Sequence, residues 1–231
     1  MKLADSVILS NAEKFKEILN SFGDRSERLN KLYDDFGEWI YIAPASSMEH
    51  FHNTCPGGYV DHVLRVIDFA EKHYKFFQLL GMETDTFSLE ELRFAALNHD
   101  LGKIGFPIEG YSCHVPNTSE WHIKNQGKLY EINPNMPWAS VVDKSLFLLQ
   151  AYSIPYSWNE FMAIRLHDGV YEEANKQYYL TFSAHSKFRS NIMMCLHHAD
   201  MLASRWEYER WVKLDKKIPG NMNFNKSMIK E

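Results

Sequence analysis

A histidine and an aspartate stand side by side at the end of an apolar stretch. His99 and Asp100 follow the run Phe94-Ala-Ala-Leu97, and a Gly-Lys-x-Gly turn over residues 102–105 comes next. Burying an unpartnered polar group costs on the order of 2–7 kcal/mol, and burying an isolated charge costs more. The imidazole and the carboxylate therefore need a partner in the interior. A divalent cation is one partner that both side chains bind.

Two other segments carry a polar residue of the same kind on or beside an apolar face. In segment 59–80, His62 lies at the edge of the apolar face, and in segment 186–212 Asp200 falls on the apolar stripe. Taken singly, each residue is more often a hydrogen-bonded core residue than a ligand. Together, two imidazoles and two carboxylates in one helical core satisfy each other if they share a metal. Their nitrogen and oxygen donors suit Mn, Mg, Fe, Ni or Zn.

This set resembles the HD superfamily of metal-dependent phosphohydrolases. Three stretches carry the resemblance in the family's order: PGGYVDHVLRVIDFA, AALNHDLGKIG and LHHADMLAS. It covers roughly residues 56–206. The resemblance implies that one or two divalent ions are held inside a helical bundle by His62, His99, Asp100 and Asp200, and that water activated there attacks phosphorus.

The same resemblance suggests further ligands. His167 lies where the two-metal branch of the family carries a histidine, although a histidine at a helix C-terminus also interacts favourably with the helix dipole. His122 lies where another ligand is expected, and His114 is an equally reachable loop alternative. His197 is interpreted as a neighbour that supports Asp200. The remaining histidines considered are interpreted as surface or structural residues: His50, His52, His73 and His185.

Three residues are candidates for the catalytic chemistry. Asp100 would hold the metal and accept the proton of the attacking water. Lys103, in the pattern His-Asp-x-x-Lys, would neutralise a phosphoryl oxygen in the transition state, although a solvated lysine at a helix end is common. Asp168 would protonate a leaving group or orient water.

A long connecting segment suggests the substrate. Residues 108–138 combine aromatic residues with lysines, and Trp121, Lys124 and Lys128 join Lys103 as candidate substrate-binding residues. Aromatic faces suit a base and ammonium groups suit phosphates, so a nucleotide is the predicted substrate. The alternative interpretation is that these aromatic residues only pack the loop onto the body.

Departures from the family pattern narrow the choice of substrate. The stretch LHDGVYEEANKQYY lacks the motif of the cyclic-di-GMP branch, and HDLGKIGFPIEGY lacks the Gly-His-rich stretch of the large deoxynucleoside-triphosphohydrolases. Lys103 stands where deoxynucleoside monophosphatases tend to carry an acidic residue. Three alternatives stay open: a phosphodiesterase or 3′–5′ exonuclease on short single-stranded nucleic acid, a di-iron oxygenase, and a non-catalytic metal-binding protein.

Composition sets further limits. The 231 residues carry a net charge of −5, which disfavours sequence-independent binding to nucleic acid. Three cysteines without metal-type spacing predict reduced thiols in a cytoplasmic protein. No apolar run approaches the roughly 18–20 residues that span a bilayer, and no signal peptide is convincing.

Helical periodicity predicts an all-α bundle with a long loop and a small β-hairpin. The predicted helices are 5–22, 24–40, 59–80, 89–100, 140–151, 158–169 and 186–212, and QYYLTF, 177–182, has strand-like composition. The expected organisation is an N-terminal helical extension (1–55), a catalytic domain (56–212) and a C-terminal tail (213–231). The extension is either a dimerisation element, which would make a homo-oligomer, or a flank of the bundle.

Overall fold

A computed structural model describes residues 2–181 and 183–215. Within those residues the fold is all-α, as predicted, with ten α-helices and two small antiparallel strand pairs. The helices are α1 (Asp5–Asn20), α2 (Ser26–Asp35), α3 (Trp39–Ile42), α4 (Gly58–Leu79), α5 (Leu89–Asn98), α6 (Glu120–Gln126), α7 (Val141–Ala151), α8 (Trp158–Leu166), α9 (Lys176–Tyr179) and α10 (Ile192–Asp215). No helix in this part of the chain is long and apolar enough to cross a membrane.

The bundle is built around α4. Helices α5 and α10 pack against α4, α8 packs against α5 and α10, and α1 covers another side of α4. One continuous cluster of buried apolar side chains runs from Phe15 in α1 to Ala203 in α10. The N-terminal helices therefore share the core of the bundle and have no separate core of their own.

Serine caps fix where two of the site-bearing helices begin. Ser88 accepts a hydrogen bond from the Glu91 amide at 3.1 Å, and the Glu91 carboxylate accepts one from the Ser88 amide at 2.8 Å. Ser157 and Glu160 repeat this reciprocal capping box at the start of α8. Both boxes place the helix starts where the sequence predicts them, at residues 89 and 158.

The segment between α5 and α7 contains more regular structure than a loop. Strand β1 (Gly105–Phe106) pairs with β2 (Tyr111–Ser112), and β3 (His114–Pro116) pairs with β4 (Tyr130–Ile132). Helix α6 lies between β3 and β4. The structure therefore contains the predicted small antiparallel strand pair and a second one beside it in the sequence.

The strand-like interpretation of residues 177–182 is wrong for the part that the structure describes. Residues 176–179 form α9, and Phe182 lies outside the described residues. Tertiary contacts override β-propensity here, because Tyr179 donates a hydrogen bond to the carbonyl of Leu166 at 2.9 Å and packs its ring against Phe188.

Other helix boundaries differ from the sequence expectation. The predicted helix 24–40 is divided at Gly37, whose φ of +57° is left-handed and ends α2 before α3 begins. Helix α10 begins at Ile192, since residues 184–186 form a separate 3₁₀ turn. It continues to Asp215, three residues into the predicted tail, of which 216–231 lie outside the described residues.

The turn after α5 lies directly against α7. The Gly102 amide donates to the Ser145 hydroxyl at 2.8 Å, and that hydroxyl donates to the Val141 carbonyl at 2.9 Å. A Cβ at position 102 would lie 2.3 Å from the Val141 carbonyl oxygen. Only glycine permits this approach, which holds the residues after His99 and Asp100 in place.

Substituting Gly102→Ala should therefore destabilise the fold by about 1–3 kcal/mol, because the backbone of α7 must move. Urea denaturation measures this loss in the free energy of unfolding, provided that the m-value is the same in the variant and the wild type. Gly110→Asn is a suitable control, since position 110 has open space and a left-handed φ of +77° that asparagine tolerates. Equal stability of the two variants would contradict the argument.

Candidate metal centre

Five ionisable side chains meet where four helices converge. They form two overlapping groups that share His99, and within each group the candidate ligand atoms lie within 4.8 Å of one another. One group is His62, His99 and Asp200, and the other is His99, Asp100 and His167. His62 lies within α4 and Asp200 within α10, whereas His99 and His167 directly follow the last residues of α5 and α8.

The Nε2 atoms of the histidines face the two carboxylates. His62 Nε2 lies 3.2 Å from Asp200 Oδ1 and 3.7 Å from Asp100 Oδ2. His99 Nε2 lies 3.4 Å from Asp100 Oδ2. His167 Nε2 lies 3.6 Å from Asp100 Oδ1. All three rings thus direct the same nitrogen towards one volume.

The opposite ring nitrogens have protein partners. His99 Nδ1 is 2.8 Å from the Ala96 carbonyl, and His167 Nδ1 is 2.8 Å from the Ile164 carbonyl. Both histidines follow their helix with α-helical backbone angles, so each ring folds back onto the last turn. An Nδ1–H donated to a carbonyl leaves the Nε2 lone pair available to a metal in the neutral ring.

The donor set fits a divalent cation. The Nε2 atoms of His62 and His99 are buried and have no hydrogen-bond partner of suitable geometry among the described residues. An unsatisfied buried polar atom costs about 1–3 kcal/mol. Two such atoms beside two carboxylates could hold a divalent ion, and mixed imidazole and carboxylate donors suit Mn, Fe, Ni or Zn, or Mg with its preference for oxygen.

Strong local charges perturb the pKa values of these groups. Burial alone would raise the pKa of Asp100, but Lys103 and His99 hold it well below its usual range. Burial alone would lower the pKa of His62, but Glu207 and Asp200 raise it to about 10. Lys103 Nζ lies 2.6 Å from Asp100 Oδ2, and so supplies the nearest positive charge.

The C-terminal end of α8 is fixed from outside the site. His197 Nδ1 lies 2.7 Å from the His167 carbonyl, and Tyr179 bonds the preceding carbonyl. A Cβ at Gly169 would lie 2.3 Å from His197 Cε1, and its φ of +57° is left-handed. These contacts hold His167 against Asp100, and they give His197 a structural role beside the site.

Not every sequence candidate joins the cluster. His122 is exposed on α6 and belongs to neither group of candidate ligands. His114 is half-buried on β3 and also belongs to neither group; its Nδ1 lies 3.3 Å from the Lys103 carbonyl. Asp168 is half-exposed, with Oδ1 3.5 Å from His167 Nε2.

The three remaining substrate candidates lie in the segment that contains α6. Trp121 is 60% exposed, and Lys124 forms an exposed ion pair with Glu120. Lys128 is half-buried, and its residue forms a backbone bridge with Met48. Lys103 is thus the one lysine of the predicted set for which a direct contact with the candidate ligands is observed.

Two residues at the site were missed by sequence reasoning. His52 was interpreted as a surface or structural residue, yet its ring centroid lies 4.9 Å from that of His62 and its Nε2 is buried without a partner. Glu207 is fully buried and touches His62. Glu207 stands seven residues after Asp200, a spacing of two helical turns that would have placed both on one face. No comparable periodic signal marks His52, which lies in a connecting segment.

Comparison of the chain with protein-family models, curated proteins and solved structures gave no significant match. Function is therefore inferred from the geometry of the site.

Metal-stripped protein should bind a divalent ion and gain stability, by about 2.7 kcal/mol when free metal is 100 times its dissociation constant. His99→Ala should abolish most of the gain, because His99 belongs to both ligand groups. His122→Ala should retain the full gain, since that side chain is exposed. Thermal melting with and without Mn²⁺, Fe²⁺, Zn²⁺ and Mg²⁺ measures the shift. If His122→Ala lost as much of the metal-induced stabilisation as His99→Ala does, this assignment of the ligands would be contradicted.

Proposed function

We propose that this protein is an HD-type metal-dependent phosphohydrolase that hydrolyses a phosphate ester of a nucleotide. The observation that carries the proposal is the pair of buried, unpartnered Nε2 atoms of His62 and His99 facing Asp100 and Asp200. The order of the motifs along the chain, with a His-Asp pair between a first histidine and a last aspartate, supports the same assignment.

The residues that would hold one or two divalent ions are His62, His99, Asp100, His167 and Asp200. A bound ion of this kind acts as a Lewis acid and lowers the pKa of water so that hydroxide is available near neutral pH. The two overlapping ligand groups are compatible with either one or two ions, since they share His99.

The side chains of the site differ in their exposure to solvent. The side chains of His62, His99, Asp100 and His167 are at most 3% exposed, whereas those of Asp200 and Lys103 are 19% and 21% exposed and that of Asp168 is 48% exposed. A substrate phosphate would therefore approach past these last three side chains. This arrangement supports a site open to substrate rather than a closed structural metal site.

Lys103, Asp100 and Asp168 each have a role in the proposed hydrolysis of a phosphate ester. The water oxygen forms a bond to phosphorus while the bond from phosphorus to the ester oxygen breaks. The ammonium of Lys103 would stabilise charge on a phosphoryl oxygen. Asp100 would hold the ion and orient the attacking water, whose proton passes to solvent, and Asp168, which reaches solvent, would orient water or supply a proton to the departing oxygen.

The segment beside the site supports the nucleotide part of the proposal. His114, at the start of β3, contacts the backbone of Lys103, so the β3–β4 hairpin adjoins the catalytic lysine. Trp121 offers an exposed aromatic surface on which a base can stack. The net charge of −5 favours a small nucleotide over a long nucleic acid.

Lys103→Ala should lower kcat by about 10²–10³-fold, because charge on the phosphoryl group loses its nearest cation. The assay presents nucleoside mono- and triphosphates, cyclic nucleotides and a short RNA to protein loaded with each metal, and separates the products by chromatography. Lys124→Ala is the matched control and should retain activity, since Lys124 is paired with Glu120 at the surface.

Asp100→Ala should abolish all turnover. Metal-dependent release of phosphate that survives in Asp100→Ala would assign the activity to a contaminant. Tight, stoichiometric binding of metal without turnover of any substrate would overturn the hydrolase proposal. Oxygen consumption by iron-loaded protein would assign the protein to the oxygenases instead.

A further inference from the structure

Glu207 forms a buried contact with a candidate metal ligand. Its side chain has no exposed surface, and both of its carboxylate oxygens lie 3.2 Å from His62 Nδ1. His62 is the candidate histidine within a helix, and its Nδ1 does not reach the last turn of its helix as those of His99 and His167 do. The carboxylate of Glu207 takes the place that a backbone carbonyl takes for the other two rings.

A charged network holds Glu207 in turn. Arg65, one helical turn beyond Asp61 on α4, donates to Glu207 Oε1 at 3.2 Å and to Asp61 Oδ2 at 3.0 Å. The guanidinium of Arg65 also lies over the ring of Trp206, 4.1 Å from its centroid. The arginine thus compensates the charge of Glu207 inside the protein, where an unpaired carboxylate would be costly.

The network continues to the N-terminal part of the chain. Asp61 accepts hydrogen bonds from Asn53 Nδ2 at 2.8 Å and from Asn11 Nδ2 at 3.0 Å. Asn11 lies in α1 and Asn53 in the segment before α4. A continuous chain of polar contacts therefore joins α1 to the candidate metal ligand His62.

We propose that Glu207 is a positioning residue that holds His62 with a proton on Nδ1, so that Nε2 is the atom presented to the metal, and that Arg65 and Asp61 fix Glu207 for this purpose. This inference rests on the proposed metal centre and extends it to the N-terminal helix. A carboxylate accepts the Nδ1–H bond and raises the basicity of the ring, which strengthens the bond from Nε2 to a cation. Glu207 itself lies behind the ring and touches neither metal nor substrate.

The test is metal affinity without substrate, measured by calorimetric titration of metal-stripped full-length protein with Zn²⁺. Glu207→Ala should weaken Zn²⁺ binding by about 10–100-fold. Glu207→Gln keeps the shape and one acceptor oxygen, so it should recover part of that loss. Glu209→Ala is the matched control on the same helix and should bind as the wild type does, because Glu209 forms only a surface pair with Arg205.

A second measurement avoids variants that fail to fold. In ¹⁵N-histidine-labelled wild-type protein loaded with Zn²⁺, NMR should show the His62 ring protonated at Nδ1 and bound to metal through Nε2. Coordination of His62 through Nδ1, or Zn²⁺ affinity unchanged in folded Glu207→Ala, would overturn the inference. Wild-type protein that binds no metal would remove the metal centre and the inference together, whereas metal binding without hydrolysis would remove only the proposed function.

Discussion

The burial of the Asp100 carboxylate among imidazoles is the constraint on which the centre of this molecule depends. Asp100 is 2% exposed, and His62 and His99 are not exposed at all. An interior that excludes water accepts these groups only if their charges are compensated and their hydrogen-bonding atoms are satisfied. Lys103 compensates part of the buried charge through one contact with Asp100. The unpartnered Nε2 atoms of His62 and His99 are the part that remains, and a bound cation would satisfy them.

The surrounding helices serve this constraint by fixing the direction of each ring. His99 and His167 both follow a helix that starts at a serine capping box, and both turn Nδ1 onto the last carbonyls of that helix. His62 lies one turn into α4, and Glu207 supplies the acceptor for its Nδ1. Rings fixed at Nδ1 present Nε2 without the entropy cost of ordering a free side chain.

Small and polar residues outside the site determine how closely the helices approach. The turn after Asp100 reaches α7 because Gly102 has no side chain, and the end of α8 reaches α10 because Gly169 leaves room for His197. The N-terminal helix joins the same arrangement through Asn11. The N-terminal helices thus share both the core and the polar network of the bundle.

The sequence by itself determined the two helices that Ser88 and Ser157 cap, because capping and apolar periodicity are local properties. It also determined which face of α10 carries Asp200. Only the tertiary structure decided that His122 lies outside the cluster and that Glu207 lies inside it, since both outcomes depend on how distant helices pack. Residues 177–179 are a further case in which packing decided the outcome. Their composition is typical of a strand, yet they form part of α9, in which Tyr179 contacts Leu166 and Phe188.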